Sequence, residues 1–279
     1  MTDMEEREWL KAQLKEIEKW EKDQQKVWFW EKLSRLPFQM LDKLTPAFIQ
    51  KKIGVLLDEM GHYIQSGGVY LTSEKGIIHQ FQKKCADESI QRIEDIGKAP
   101  IEMMDAISEH MGKNRTNLAT VQGATTGVGG MFTLAADIPA VLGLSLKTLQ
   151  DIAVTYGYDP KNKEERVFII KCLQLNSADV VGKKSILKEL KSYHASEGKH
   201  ENMISQIQGW REVVYNYRDS FGWKKLFQLV PIAGILFGAV SNRSQLKGIA
   251  ETGMMQYRKR RILTRLEELT EQEQSESGA

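Results

Sequence analysis

The fold of this chain is decided by residues 116–146, TNLATVQGATTGVGGMFTLAADIPAVLGLSL, which carry a single charge, Asp137. In the whole chain of 279 residues, 27% are charged, so this stretch stands apart. Small residues are frequent in it, and Gly123 and Gly127 form a GxxxG pair that is followed by Gly130. Because small residues let two helices approach until their backbones nearly touch, the stretch predicts closely packed helices.

A second stretch shows the same features. Residues 226–242, LFQLVPIAGILFGAVSN, carry no charge and place a GxxxG pair, Gly234 and Gly238, after Pro231. We therefore predict an all-α fold, a multi-helix globular bundle with these two Gly-rich apolar elements packed at its centre. Reversible insertion into a membrane interface and a full membrane span remain open alternatives for both elements. The second element is shorter than the ~20 apolar residues that a span requires.

The first apolar element is predicted to be a helical hairpin. Asp137 stands two residues before Pro139, a spacing typical of a helix cap followed by the first turn. This spacing predicts that one helix ends near Ala136 and that a second begins at Asp137. We expect the second helix to stop at Tyr156 and Gly157, because glycine is common just after the end of a helix.

The rest of the chain also has helical periodicity, and no long alternation of apolar and polar residues indicates a sheet. We divide the chain into an amphipathic N-terminal helix (1–36), a helical domain (37–269) and a tail (270–279). Leu10, Leu14, Ile17 and Trp20 lie on one face of the N-terminal helix. The tail has no apolar residue to bury, so we expect it to be disordered.

Composition excludes some classes of function. A net charge of +2 indicates no bulk affinity for nucleic acid. Cys85 and Cys172 are far apart inside apolar helical patterns, which favours buried free thiols and a reducing cytoplasm. The N-terminus alternates acids and bases, whereas a signal peptide needs an apolar run.

No motif predicts a metal or another cofactor. The run TTGVGG lacks the Gly-Lys-Ser/Thr ending of a phosphate loop. Glu59 with His62, and Glu197 with His200, show the Glu-x-x-His spacing of di-iron bundles, but the second pair lies in a polar, Gly-containing connection. His-Glu-x-x-His and Cys-x-x-Cys are both absent.

Catalytic motifs are equally scarce. Ser-x-x-Lys occurs three times, as chance allows in a Lys-rich helical chain. Asp105 and Glu109, with His110 adjacent, are one helical turn apart, a spacing that is usually a solvated face. We favour a non-catalytic protein. The alternatives are a hydrolase whose catalytic groups come from distant helices, and a lipid carrier whose small residues line a pocket.

One segment has the residue order of a membrane contact. Phe221, Trp223, Lys224 and Lys225 precede an apolar run, and Arg243 follows it. Aromatic rings suit the headgroup level, and long basic side chains can extend towards it. We add the basic cluster from Arg258 to Arg265 as a further attraction to anionic lipid. The order predicts a cytoplasmic protein that is peripheral on the inner face of the cell membrane.

Several motifs together resemble the EcsC family of bacterial proteins, over about residues 45–266. These are GATTGVGGMFTLAADIP, YGYDP, ERVFIIKCLQL, VPIAG, Asn242 and YRKRRIL, which follow one another in the family's order. The family takes its name from a gene that accompanies the ATPase and membrane subunits of an ABC transporter. The resemblance therefore implies a helical fold and a membrane or transporter partner. It implies no reaction and no catalytic residues.

Overall fold

The computed structural model describes residues 3–25, 71–85, 88–126, 131–177, 180–194 and 240–277. These residues contain helices and no strand, so the predicted all-α class is confirmed. The helices are α1 (Asp3–Gln24), α2 (Glu74–Cys85), α3 (Ile93–Ile96), α4 (Ile101–Thr126), α5 (Met131–Thr155), α6 (Lys163–Ser177), α7 (Val180–His194) and α8 (Val240–Ser277).

The helix α8 organises the described part of the fold. It has 38 residues and is therefore about 57 Å long. It packs against α1, α4, α5 and α6, while α7 packs against α6. The apolar side chains that α8 buries most completely are Leu246, Ile249, Tyr257 and Ile262.

The helices α4 and α5 pack against each other, but α5 does not begin where the sequence predicts. The backbone of α5 is helical from Met131 to Thr155, so Asp137 and Pro139 lie inside one helix. The predicted helix boundary at Asp137 is therefore wrong, because the helical backbone of α5 runs through this position. Proline is costly inside a helix, which made the boundary a reasonable expectation. The expected stop after Thr155 is confirmed.

Gly157 ends α5 in a left-handed conformation, with φ of +80°. The Tyr158 N–H donates to the Ala153 carbonyl oxygen at 2.9 Å, and the Gly157 N–H donates to the Val154 carbonyl oxygen at 2.9 Å. These two bonds make a Schellman cap, which satisfies carbonyls at the helix end. The chain reverses here and leads into α6.

Close packing of helices occurs at glycines of α8. A Cβ atom at Gly253 would lie 2.7 Å from Cδ2 of Leu149 on α5. At Gly248 it would lie 2.5 Å from the side-chain oxygen of Asn176 on α6. The GxxxG pairs in the sequence did not indicate these two positions.

The helix α1 has the predicted buried face, because Leu10 and Ile17 are 1% and 0% exposed. It also contacts the end of α8. Arg7 donates to Thr270 at 3.1 Å and pairs with Glu273 at 2.9 Å. The helix α8 continues to Ser277, whereas the sequence analysis expected a disordered tail over residues 270–279.

Candidate functional site

The basic run Arg258–Lys259–Arg260–Arg261 on α8 is the centre of a buried polar network. Successive residues of a helix point about 100° apart, so the four side chains face different neighbours. Lys259 and Arg261 are 5% and 8% exposed. This placement corrects the expectation that the cluster attracts anionic lipid, because its charges are directed into the protein.

Arg258 joins three helices. Its Nε donates to Oδ2 of Asp105 on α4 at 2.8 Å, and its Nη2 donates to Oε1 of Gln13 on α1 at 2.6 Å. The hydroxyl of Tyr156 donates to Oδ1 of Asp105 at 2.6 Å. Burial raises the pKa of Asp105, and this effect outweighs the lowering by Tyr156 and Arg258. The carboxylate is therefore held between two donors at a poorly hydrated position.

Lys259 forms a buried ion pair with α1. Its Nζ donates to both carboxylate oxygens of Glu21, at 2.7 and 2.8 Å. The same carboxylate accepts a bond of 3.1 Å from Nε2 of Gln256. Oε1 of Gln256 is buried and has no hydrogen-bond partner. Glu21 is itself only 3% exposed, so the pair lies almost wholly out of water.

Arg260 contacts α6. Its Nη1 and Nη2 bind the two carboxylate oxygens of Glu165 at 2.8 and 2.6 Å, a bidentate geometry. The guanidinium lies 4.1 Å from the ring centre of Tyr158 and 4.7 Å from that of Phe168. The hydroxyl of Tyr257 also donates to Glu165, at 3.3 Å. Charge pairing and cation–π contact together fix α6 on α8.

Arg261 and Arg265 bind loop carbonyls. Arg261 donates to the carbonyl of Tyr156 through Nε at 3.0 Å and Nη2 at 2.7 Å, and Arg265 donates to that of Gly97 at 2.9 Å. Burial lowers the pKa of Arg261. The two loops touch, since a Cβ atom on Gly157 would lie 2.6 Å from Cα of Gly97.

The reactions that this network could perform are limited, because its ionisable side chains are shielded from solvent and from any substrate. Tyr156 is 0% exposed, and its pKa is raised well above the usual value by burial and by Asp105. Burial likewise raises the pKa of the Cys172 thiol, which disfavours the reactive thiolate. Within the described ranges, no group of three His, Cys, Asp or Glu side chains is placed to hold a metal ion. The arrangement is suited to holding helices together.

The residues singled out from the sequence fall partly inside the described ranges. The backbone of Gly123 lies in α4, those of Asp137 and Pro139 in α5, and that of Arg243 in α8. Outside the described residues lie Gly127, Gly130, Phe221, Trp223, Lys224, Lys225, Pro231, Gly234 and Gly238. Among the described helices, none has the length and apolar character needed to cross a bilayer.

Comparison with known proteins gives the family. The family model described as the EcsC protein family matches residues 11–262, which is most of the chain. The chain belongs to the EcsC family. The match begins within α1, and so includes part of the helix that the sequence analysis placed outside the helical domain.

Two relatives come from Bacillus subtilis (strain 168). The protein YdbA is 74% identical over 269 residues, which cover 96% of this chain and 98% of YdbA. Protein EcsC, which shares the family's name, is 31% identical over 135 residues, covering 48% of this chain and 54% of that protein. No solved structure matches the chain. The resemblance to the EcsC family that the sequence motifs suggested is thus confirmed.

Sequence reasoning missed the polar network of this EcsC-family chain, although it named two of its parts. Asp105 was noted as a carboxylate on a solvated face, and the basic run was noted as a cluster. The side-chain partners of the run on α1, α4 and α6 are between 95 and 245 residues away in the sequence. The sequence Tyr-Arg-Lys-Arg-Arg (residues 257–261) does not indicate which of these side chains are buried.

Proposed function

We propose that this protein is a non-catalytic helical protein that acts at the cytoplasmic face of the cell membrane as an accessory to an ABC transporter. The non-catalytic part rests on one observation, the closure of the polar network along α8. Its buried carboxylates, Glu21 and Glu165, and the buried Tyr156 are each engaged by a neighbouring side chain. A general acid or base has to reach its substrate, and these groups are covered.

The membrane part of the proposal rests on the sequence. Residues 221–243 place aromatic and basic side chains at the margins of an apolar run, which is the order found at bilayer interfaces. Membership of the EcsC family adds the expectation of a transporter partner that the family resemblance implies. The internal pairing of the α8 cations leaves Lys224, Lys225 and Arg243 as the main basic contacts of this segment.

Flotation with anionic liposomes tests the proposal. We expect the full chain to float with phosphatidylglycerol vesicles at low salt and to dissociate as salt rises, because salt screens surface charge. Changing Lys224, Lys225 and Arg243 to Glu should reduce flotation. Each lost contact removes on the order of 1 kcal/mol of attraction, and each introduced carboxylate adds repulsion.

The control has the same change of charge on a different surface. Lys75, Lys83 and Lys84 are exposed on α2, and their replacement by Glu should leave flotation unchanged. Equal losses in the two triple variants would show a response to net charge alone. Wild-type protein that stays unbound at low salt would refute membrane docking.

A further inference from the structure

Arg261 differs from the three basic residues that precede it on α8, because it forms no ion pair within the described residues. The preceding three each bind a carboxylate on a neighbouring helix: Arg258 binds Asp105, Lys259 binds Glu21, and Arg260 binds Glu165. Arg261 instead donates to the carbonyl oxygens of Tyr156 and Gly157. Its side chain is buried, and a buried charge without a counter-ion is costly. The position therefore carries a positive charge that no ion pair balances.

Two hydrogen-bond donors close to Arg261 also lack an acceptor. The hydroxyl of Tyr158 and Nε of Arg265 are both buried, and neither has a hydrogen-bond partner. The guanidinium of Arg261 lies 4.6 Å from the centre of the Tyr158 ring. Nε of Arg265 is 3.9 Å from the Glu268 carboxylate, which is too far for a hydrogen bond. Buried polar groups are nearly always paired, so the two donors indicate an acceptor that the protein itself does not supply.

The three side chains meet where two loops touch. Nη2 of Arg265 donates to the carbonyl oxygen of Gly97 at 2.9 Å. A Cβ atom on Gly97 would lie 3.2 Å from Nη2 of Arg261, so both guanidinium groups flank this glycine. Tyr158 directly follows Gly157, which contacts Gly97 from the second loop. Two guanidinium groups and one phenol therefore line a single junction between the loops.

The loop junction, which consists of residues 97–99 and 156–158, is partly exposed to solvent. Lys98 is exposed, and the side chain of Arg265 is 23% exposed. A cation at the edge of a site attracts anions towards it. The junction differs from a membrane-binding surface, because its guanidinium groups are directed inwards and bound to loop carbonyls. Such an arrangement suits a small anion.

We propose that the loop junction binds a terminal phosphoryl group. Arg261 supplies the positive charge, and the Tyr158 hydroxyl and Nε of Arg265 donate to phosphoryl oxygens. Arginine suits this ligand, because its planar fork of N–H groups matches the geometry of phosphate. A terminal phosphoryl group has three free oxygens for donors from three side chains, whereas a carboxylate has two. The site stands on these contacts and does not depend on membrane docking.

Calorimetric titration of the full chain with inorganic phosphate, in a chloride buffer of constant ionic strength, tests the site. We expect saturable binding to the wild type. Tyr158→Phe removes the unpartnered hydroxyl and keeps the ring between Arg260 and Arg261. This variant should bind phosphate at least about tenfold more weakly, because a hydrogen bond to a charged group is lost. Without phosphate it should be at least as stable to urea as the wild type, since the hydroxyl has no partner in the folded protein.

The matched control is Tyr257→Phe, which removes a hydroxyl that has a partner. Tyr257 donates to Glu165 at 3.3 Å, so this variant should be less stable to urea and should keep the phosphate affinity of the wild type. A wild type that does not bind phosphate would overturn the site. Equal phosphate affinity of Tyr158→Phe and wild type would overturn it as well, because the bound anion would then lie elsewhere on the protein.

Two phosphate esters test which phosphoryl chemistry the junction recognises. Glycerol 3-phosphate is a monoester with a terminal phosphoryl group and should bind at least as tightly as inorganic phosphate. Dimethyl phosphate is a diester, like the headgroup phosphate of phosphatidylglycerol, and has only two free oxygens. We expect it to bind at least about tenfold more weakly, since one donor is left unpaired. Equal binding of the diester and the monoester would refute recognition of a terminal phosphoryl group.

Discussion

At the scale of single residues, Gly157 is the glycine of the described ranges at which an added methyl group should be most harmful. Its φ of +80° disfavours any residue with a Cβ atom, and that atom would lie 2.6 Å from Cα of Gly97. We expect Gly157→Ala to lower the free energy of unfolding by about 2 kcal/mol or more. Gly143, inside α5, has nothing within 4 Å of an added Cβ, so Gly143→Ala should stabilise by about 0.5–1 kcal/mol. Urea unfolding measures the change in the free energy of unfolding for each variant. Equal changes for Gly157→Ala and Gly143→Ala would contradict the prediction.

The stability of the protein should depend strongly on both members of the buried ion pair between Arg260 and Glu165. Arg260→Met leaves the Glu165 carboxylate buried without its bidentate partner and should cost about 3–5 kcal/mol. Adding Glu165→Gln should restore most of that loss, because the second change removes the stranded charge. The exposed pair of Lys113 and Glu109 is the control, and Lys113→Met should cost less than about 1 kcal/mol. A double variant as unstable as Arg260→Met would argue against this account.

Asp105 predicts a dependence of stability on pH. Burial raises its pKa above the ordinary value of 3.8, so the folded protein binds this proton more tightly than the unfolded chain does. Its stabilising contribution is complete below pH 3.8 and is lost as the pH rises through the raised pKa. Urea unfolding from about pH 4 to about pH 7 should therefore show wild type losing stability relative to Asp105→Asn. If the difference in free energy of unfolding between wild type and Asp105→Asn is constant over this interval, the pKa of Asp105 is not raised in the folded protein.

At the scale of elements, the crossing of α8 over α5 depends on Gly253. A branched side chain there meets Leu149 and Ile152 in the core, so Gly253→Val should cost about 1–3 kcal/mol. Gly248 faces the end of the Asn176 side chain, which can move aside. Gly248→Ala should therefore change stability by less than about 1 kcal/mol. Thermal unfolding distinguishes the two, and a harmless Gly253→Val would mean that α8 shifts freely on α5.

The sequence predicted those helical features that depend on residues close together in the chain. The buried face of α1 follows from helical periodicity, and the stop at Gly157 follows from the conformation that glycine permits. The boundary at Asp137 was wrong because the helical backbone of α5 continues through a cap-like sequence. The end of α8 was missed because Arg7, 263 residues earlier in the chain, contacts Thr270.

At the scale of the whole molecule, the two cysteine thiols should react with a thiol reagent under different conditions. Cys85 is partly exposed on α2, whereas Cys172 is fully buried and burial raises its pKa. We expect a thiol reagent to label one cysteine in the native protein and the second only on unfolding. Peptide mapping after labelling should assign the fast reaction to Cys85. Fast labelling of Cys172 would show that the core around α6 opens locally.

The all-α class of the described residues was predictable because helical periodicity is a local property of the sequence. The polar network was not, because its pairs join α8 to α1, α4 and α6 across most of the sequence. A charged residue is usually solvated, so Lys259 and Arg261 were expected at the surface. Their burial depends on partners such as Glu21 that only the tertiary fold brings into reach.

The four adjacent basic residues of α8 also restrict which insertions and deletions this helix can accept. Insertion of one residue upstream within α8 would turn every later side chain by about 100° and detach all four at once. Insertion of seven residues would turn them by only about 20°, but would displace them by about 10 Å along the axis. Insertions and deletions should therefore be excluded from the middle of this helix, and variation there should be confined to substitutions.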